Sequence, residues 1–189
     1  MKPTLGFILL AVVMLLGLVS PIDSAPPDTT LKLGGHSVGE TLSDFTAAFP
    51  KAICGSKIHV AEVMQQTEFL NASGLLGCCL NNSSDVSAFS SHKILFVAYC
   101  RVLAIFYNQR LQDVRYVVDA PDIASVLPEF EKTFGPVAID TPIKLDGLHP
   151  KRTVAWVGDH DVLNLSTLIL NGERPDDNVV LVHLWRIPH

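Results

Sequence analysis

No segment of this chain gathers lysine and arginine into a cluster, and that absence removes a whole class of partners. The 14 Lys and Arg are outnumbered by 19 Asp and Glu, for a formal net charge of −5 and an isoelectric point near 5.7. A mildly acidic chain without a basic patch has no electrostatic footprint for nucleic acid or anionic lipid. The motifs that carry specific chemistries are missing as well. There is no G-x-S-x-G elbow, no H-E-x-x-H, no phosphate-binding loop and no dinucleotide glycine pattern, so no resident cofactor is expected. Charge of either sign is scarce at 17% of residues, and aromatics make up only 7%. What the chain does have is apolar residues, at 48%. That is far from a disordered composition.

The N-terminus is patterned for export. Lys2 supplies a short positive region, residues 5–19 are an uncharged run of 15, and Ser20-Pro21-Ile22-Asp23-Ser24-Ala25 follows. This is the order of a cleavable secretory leader, and the run is short for a membrane span of about 20 residues. The competing reading is an uncleaved N-terminal anchor. Pro26 disfavours cleavage directly after Ala25 and favours a cut one residue earlier. The expected organisation is a signal peptide at 1–25, a linker at 26–34 and one domain at 35–189. Removing 25 of the 189 residues leaves 164, enough to bury a real core. The expected location is periplasmic or secreted, with no membrane insertion once the leader is gone.

Export changes how the cysteines read. Cys54, Cys78, Cys79 and Cys100 are an even set, and in an oxidising compartment disulfides are the default. A direct bridge between Cys78 and Cys79 would strain the backbone. That leaves Cys54 with one of the neighbours and Cys100 with the other, in an order the sequence leaves open. The alternatives are one disulfide with two free thiols, or metal or redox chemistry. Adjacent cysteines lack the two-residue gap that turns both sulfurs toward one metal.

Two segments carry helical periodicity. Thr41 and Asp44 form a capping-box variant ahead of Val38, Leu42, Phe45 and Phe49, which lie on one helical face, and Pro50 closes the segment. Pro121 and Asp122 open the second, and Phe134-Gly135-Pro136 closes it. Its apolar residues Ile123, Leu127, Phe130 and Phe134 each fall 85 positions after a counterpart in the first. This suggests a tandem repeat over 35–118 and 119–189. Pro128 implies a bent or late-starting second helix. Strands are expected at 94–107, 111–118, 153–157, 162–170 and 178–187, with turns at Asn108-Gln109-Arg110, Gly158-Asp159-His160 and Asn171-Gly172. Residues 55–91 are poorly patterned, and 71–91, rich in Ser, Asn and Gly and carrying the adjacent cysteines, read as a long loop pinned by disulfides. The expected fold class is α+β, an antiparallel sheet with helices packed on one face.

Candidate site residues are few. Asp159-His160-Asp161 places one imidazole between two carboxylates, a metal or acid/base constellation, but at a turn where consecutive side chains diverge. Trp156 and Trp185, with Arg186, are either core or anchors for a protein partner. His36, His59 and His92 match no compact metal spacing. His183, between Val182 and Leu184, reads as partly buried and hydrogen-bonded. Asn71, Asn82 and Asn164 begin glycosylation triplets.

The run Val38-Gly39-Glu40-Thr41-Leu42 leading to a helix that ends Phe49-Pro50, with the later helix ending Phe134-Gly135-Pro136, resembles two groups of small exported bacterial modules. These are the outer-membrane assembly lipoprotein family and the β-lactamase-inhibitor-like fold. The resemblance covers about residues 35–137. It implies helices paired with an antiparallel sheet, sometimes in tandem, that act by binding other proteins. The lipidation cysteine of the lipoproteins has no counterpart here, and no functional residue carries over. The leading expectation is therefore a non-enzymatic exported module with another exported or envelope protein as its partner. The alternatives are a metal-dependent hydrolase using Asp159, His160 and Asp161, or a small-ligand carrier with Phe96, Tyr99 and Phe106 lining a cavity.

Overall fold

The computed structural model describes residues 30–55, 74–97, 99–143, 151–169 and 178–187. The expected leader, residues 26–29 of the expected linker, His59, Asn71 and the expected Asn171-Gly172 turn lie outside the described residues.

Helix α1 (Leu42–Ala48) starts where the sequence places its cap. The Thr41 hydroxyl accepts from the Asp44 amide at 3.1 Å and donates to the Asp44 carboxylate at 2.6 Å, satisfying one of the orphan donors of the first turn. Helix α2 (Ser83–Val86) is a single turn. Helix α3 (Ile123–Phe134) is capped by Asp122, which accepts from the Ser125 amide at 2.9 Å, and it ends at Gly135 with φ +79°. It begins at Ile123 and runs through Pro128, which removes one backbone hydrogen bond.

Eight strands follow one another in antiparallel pairing: β1 (Ile53–Gly55), β2 (Leu75–Leu80), β3 (Val102–Tyr107), β4 (Arg110–Val118), β5 (Ile139–Ile143), β6 (Lys151–Val157), β7 (Asp161–Ile169) and β8 (Asn178–Arg186). They form one sheet in the order β1-β2-β3-β4-β8-β7-β6-β5. Each half of the chain thus supplies a helix followed by a four-strand meander, and the halves meet at the β4–β8 pair. The β3–β4 turn is a two-residue loop with positive φ at both Asn108 and Gln109, the geometry that suits the right-handed strand twist. It packs so closely on Gly74 (φ +90°) that a Cβ there would sit 2.6 Å from the Asn108 side-chain oxygen. The α+β class is as expected, with helices on one face of an antiparallel sheet.

The core lies between that face and the helices. Phe45, Phe49, Val86, Phe89, Ile123, Val126 and Phe130 pack against Val102, Ala104, Phe106, Val114, Tyr116, Val180, Val182 and Leu184. The buried Tyr116 hydroxyl donates to the Phe89 carbonyl at 2.7 Å, and burial pushes its pKa well above the ordinary value, with the Glu129 charge adding to the rise. The His36 ring packs within the same aromatic group, 4.7 Å from Phe49 and 5.2 Å from Phe45, and its Nδ1 meets Glu40 at 2.8 Å.

Two segments depart from the sequence reading. The expected strand at 94–107 is broken, because Val97 and Cys100 close a tight turn on each other and Arg101 hydrogen-bonds Asn81. Only 102–107 continues as β3. The expected loop at 71–91 contains β2 and α2, and both adjacent cysteines sit on β2. Strand alternation explains how they are used. Cys78 points into the helix-covered core and Cys79 to the opposite face, so each finds a different partner, Cys54 on β1 and Cys100 before β3. These two disulfides put the folded chain in an oxidising, non-cytoplasmic environment. No helix among the described residues is long and apolar enough to cross a membrane.

Candidate functional site

The sheet face turned away from the helices is ordered by cross-strand register. One row crosses all eight strands: Ile53, Cys79, Leu103, Arg115, His183, Asn164, Ala155 and Ile139. The next row is Gly55, Gly77, Ile105, Asp113, Trp185, Val162 and Val157. The only formal charges in the two rows are Asp113 and Arg115. Ile53, Ile139 and Val157 are exposed at 64%, 48% and 49%.

Those two charges sit at the β4–β8 junction and neutralise each other. The Arg115 Nε donates to both Asp113 carboxylate oxygens at 2.7 and 2.9 Å, and one terminal guanidinium nitrogen closes the fork. Both side chains are only 11% exposed. His183 approaches the same carboxylate from the facing strand, 2.9 Å from Nε2 to Oδ2. Burial alone would raise the Asp113 pKa, but the hydrogen bonds from His183 and Arg115, reinforced by their charges, hold it below the ordinary value of 3.8. The carboxylate is therefore an acceptor, and His183 must donate from Nε2. Trp185 lies beside it, with ring centroids 4.5 Å apart and tilted by 32°. Across β7, Asn164 donates to Ser166 at 3.3 Å while its own Oδ1 is buried with no hydrogen bond.

The candidates read from sequence are dispersed. Of the proposed surface tryptophans, Trp156 is core and forms no part of an exposed surface: it is 3% exposed, packs on Phe130 and Phe134, and donates from Nε1 to the Gly135 carbonyl at 2.9 Å. Trp185 is half-buried on the face opposite the described helices, and Arg186 is exposed at the end of β8. Asp159, His160 and Asp161 do occupy the β6–β7 turn but diverge. Asp161 turns inward, 1% exposed, and accepts from the Leu31 amide at 3.2 Å, whereas Asp159 and His160 are exposed. No group of three or more His, Cys, Asp or Glu among the described residues is arranged to hold a metal. Phe96, Tyr99 and Phe106 do not share a cavity, since Phe106 is fully buried in the core while Phe96 and Tyr99 are exposed.

Sequence reasoning placed His183 as partly buried and hydrogen-bonded but missed its partners, because Asp113 lies 70 residues away. Only the local signal Asp113-x-Arg115, a charge pair on one face of a strand, was visible. Comparison with protein-family models, with curated proteins and with solved structures found no match.

Proposed function

We propose that this domain is an exported, periplasmic or secreted, non-enzymatic binding module that engages another exported protein through the sheet face opposite the described helices. The observation that carries the proposal is the composition of the β4–β8 junction. Trp185 and Arg115 are the residue types that dominate protein–protein hot spots. They sit at the centre of a face whose edges expose Ile53, Ile139 and Val157. The one ion pair is internally neutralised, so covering it strands no unpaired charge. The buried Asn164 Oδ1 lacks a donor, and an unpaired buried acceptor costs about 1–3 kcal/mol until a partner supplies one.

The same reading takes the chain as a duplicated helix-plus-meander unit. The mirrored strand order and the equivalent burial of Phe45 and Phe130, 85 positions apart, support it.

The test is affinity capture from the exported fraction with folded protein, compared with Leu181→Asp and Trp185→Ala on the face and Glu131→Lys on the helical side. One stoichiometric partner retained by Glu131→Lys and lost with both face variants is the expected result. Capture that is indifferent to the face variants, or repeated failure to capture anything, sinks the reading.

A further inference from the structure

A second site lies where α2, the 90–96 segment and Arg101 line an open pocket of about 430 Å³. Its wall includes Ser83, Ser87 and Ser90 and the cations Lys93 and Arg101, and among the described residues no Asp or Glu lines it. In a chain of net charge −5, a concave surface with cations and without carboxylates is unusual.

The carboxylates nearby are engaged outside the wall. Glu129 accepts from the Ser91 amide and hydroxyl at 2.9 and 2.7 Å and stands 3.5 Å from His92. Asp119 takes the Lys93 ammonium at 2.7 Å. Arg101 has no carboxylate among the described residues. Its guanidinium lies over the Phe96 ring, 4.4 Å from the centroid, and one terminal nitrogen reaches the Ser83 hydroxyl at 3.3 Å. Its Nε–H is shielded from water and has no acceptor. The terminal guanidinium nitrogens are the donors a guanidinium offers to an oxyanion when its Nε is covered. Here the guanidinium is held in place by the aromatic ring on one side and the serine on the other.

We infer that this cavity binds a small polar molecule carrying a phosphate-type oxyanion, with Arg101 taking the anion and the serine hydroxyls taking the polar remainder. The cavity is larger than a bare phosphate and apolar only at Phe96, Ile94, Leu95 and Val86, which suits a sugar-phosphate-sized ligand. Nothing in the site depends on the sheet face opposite the described helices, so the two readings stand or fall separately.

The test titrates glucose 6-phosphate and glucose into the ¹⁵N-labelled full-length exported protein. Glucose 6-phosphate should shift the Ser83, Ser87 and Arg101 amides saturably, while glucose shifts none of them. Arg101→Gln should weaken the affinity by about tenfold or more, the loss of a charge-assisted pair, and Arg101→Lys should fall between. No saturable shift at those amides, equal shifts with glucose, or an Arg101→Gln affinity equal to the parent's overturns the inference. The wild-type shift map decides the question even where a variant does not fold.

Discussion

Replacing Asp113 with Asn isolates the central contact of the candidate site without changing its shape. The carboxylate accepts from Arg115 and His183 at once, and its side chain and that of Arg115 are each only 11% exposed, so solvent does little to replace a lost partner. Removing one member of a buried pair costs about 3–5 kcal/mol, because the other charge is left uncompensated. The amide oxygen of Asn still accepts one bond, which places the loss near the lower end, at about 3 kcal/mol. With a urea slope of about 2 kcal/mol/M, the midpoint should fall by about 1.5 M at pH 7. The pH dependence gives an independent reading. Asp113 is held below its ordinary value of 3.8, so the unfolded chain takes up this proton first as the pH drops. The contribution is complete above about pH 4 and drains away as the pH falls through the folded-state value. Asp113→Asn should lose that part of the acid limb while remaining less stable at pH 7. The double variant Asp113→Leu with Arg115→Met removes both charges and should recover most of the loss. A midpoint shift under about 0.5 M, or an unchanged acid limb, would refute the claim that this pair is buried and mutually neutralised.

The two tryptophans should separate fold from function. Trp156→Ala empties a site between Phe130, Phe134 and the Gly135 carbonyl and should cost about 3–5 kcal/mol in urea denaturation, whereas Trp185→Ala should cost less than half as much and act on partner capture; equal losses would contradict their opposite placement. Removing Cys54–Cys78 or Cys79–Cys100 as a Ser pair frees loops of 24 and 21 residues' separation, and chain entropy puts the loss at about 3.5 kcal/mol for each. A loss below about 1 kcal/mol for either pair would contradict the assigned bridges.

Elements whose stability is local were readable from sequence. Helices α1 and α3 announce themselves through caps, periodicity and terminators, and the Asn108-Gln109 turn through its position between apolar runs. What escaped depends on contacts between distant segments. Strand β2 carries Gly77 and two adjacent cysteines, a composition that reads as loop, yet it becomes a strand because β1 and β3 pair with it on both sides. The 94–101 segment has the composition of a strand, but the Val97–Cys100 turn and the Cys79–Cys100 bridge interrupt it, leaving an isolated bridge from Ile94 to Val118 at the end of β4. Even the pairing of the cysteines needed only one fact missing from the sequence reading, that 78 and 79 occupy a strand. Alternation then sends the two sulfurs to opposite faces, and each can bridge only to what lies on its own side.

The candidate site belongs to neither half of the chain. Asp113 and Arg115 come from β4, His183 and Trp185 from β8, and the register sets Asp113 opposite Trp185 and Arg115 opposite His183. A slip of one residue between these strands would turn His183 and Trp185 into the core and bring Val182 and Leu184 out to water. Burial opposes that slip, since Val182 and Leu184 are fully buried on the helical side. The Ile187 amide, bonded to the His160 carbonyl at 2.9 Å, ties the end of β8 to the turn before β7. The core that α1 and α3 assemble on one side therefore fixes which side chains stand together on the other. An amphipathic pattern legible in each helix thus specifies, through the register of two strands it never contains, a cluster that no local reading could assemble.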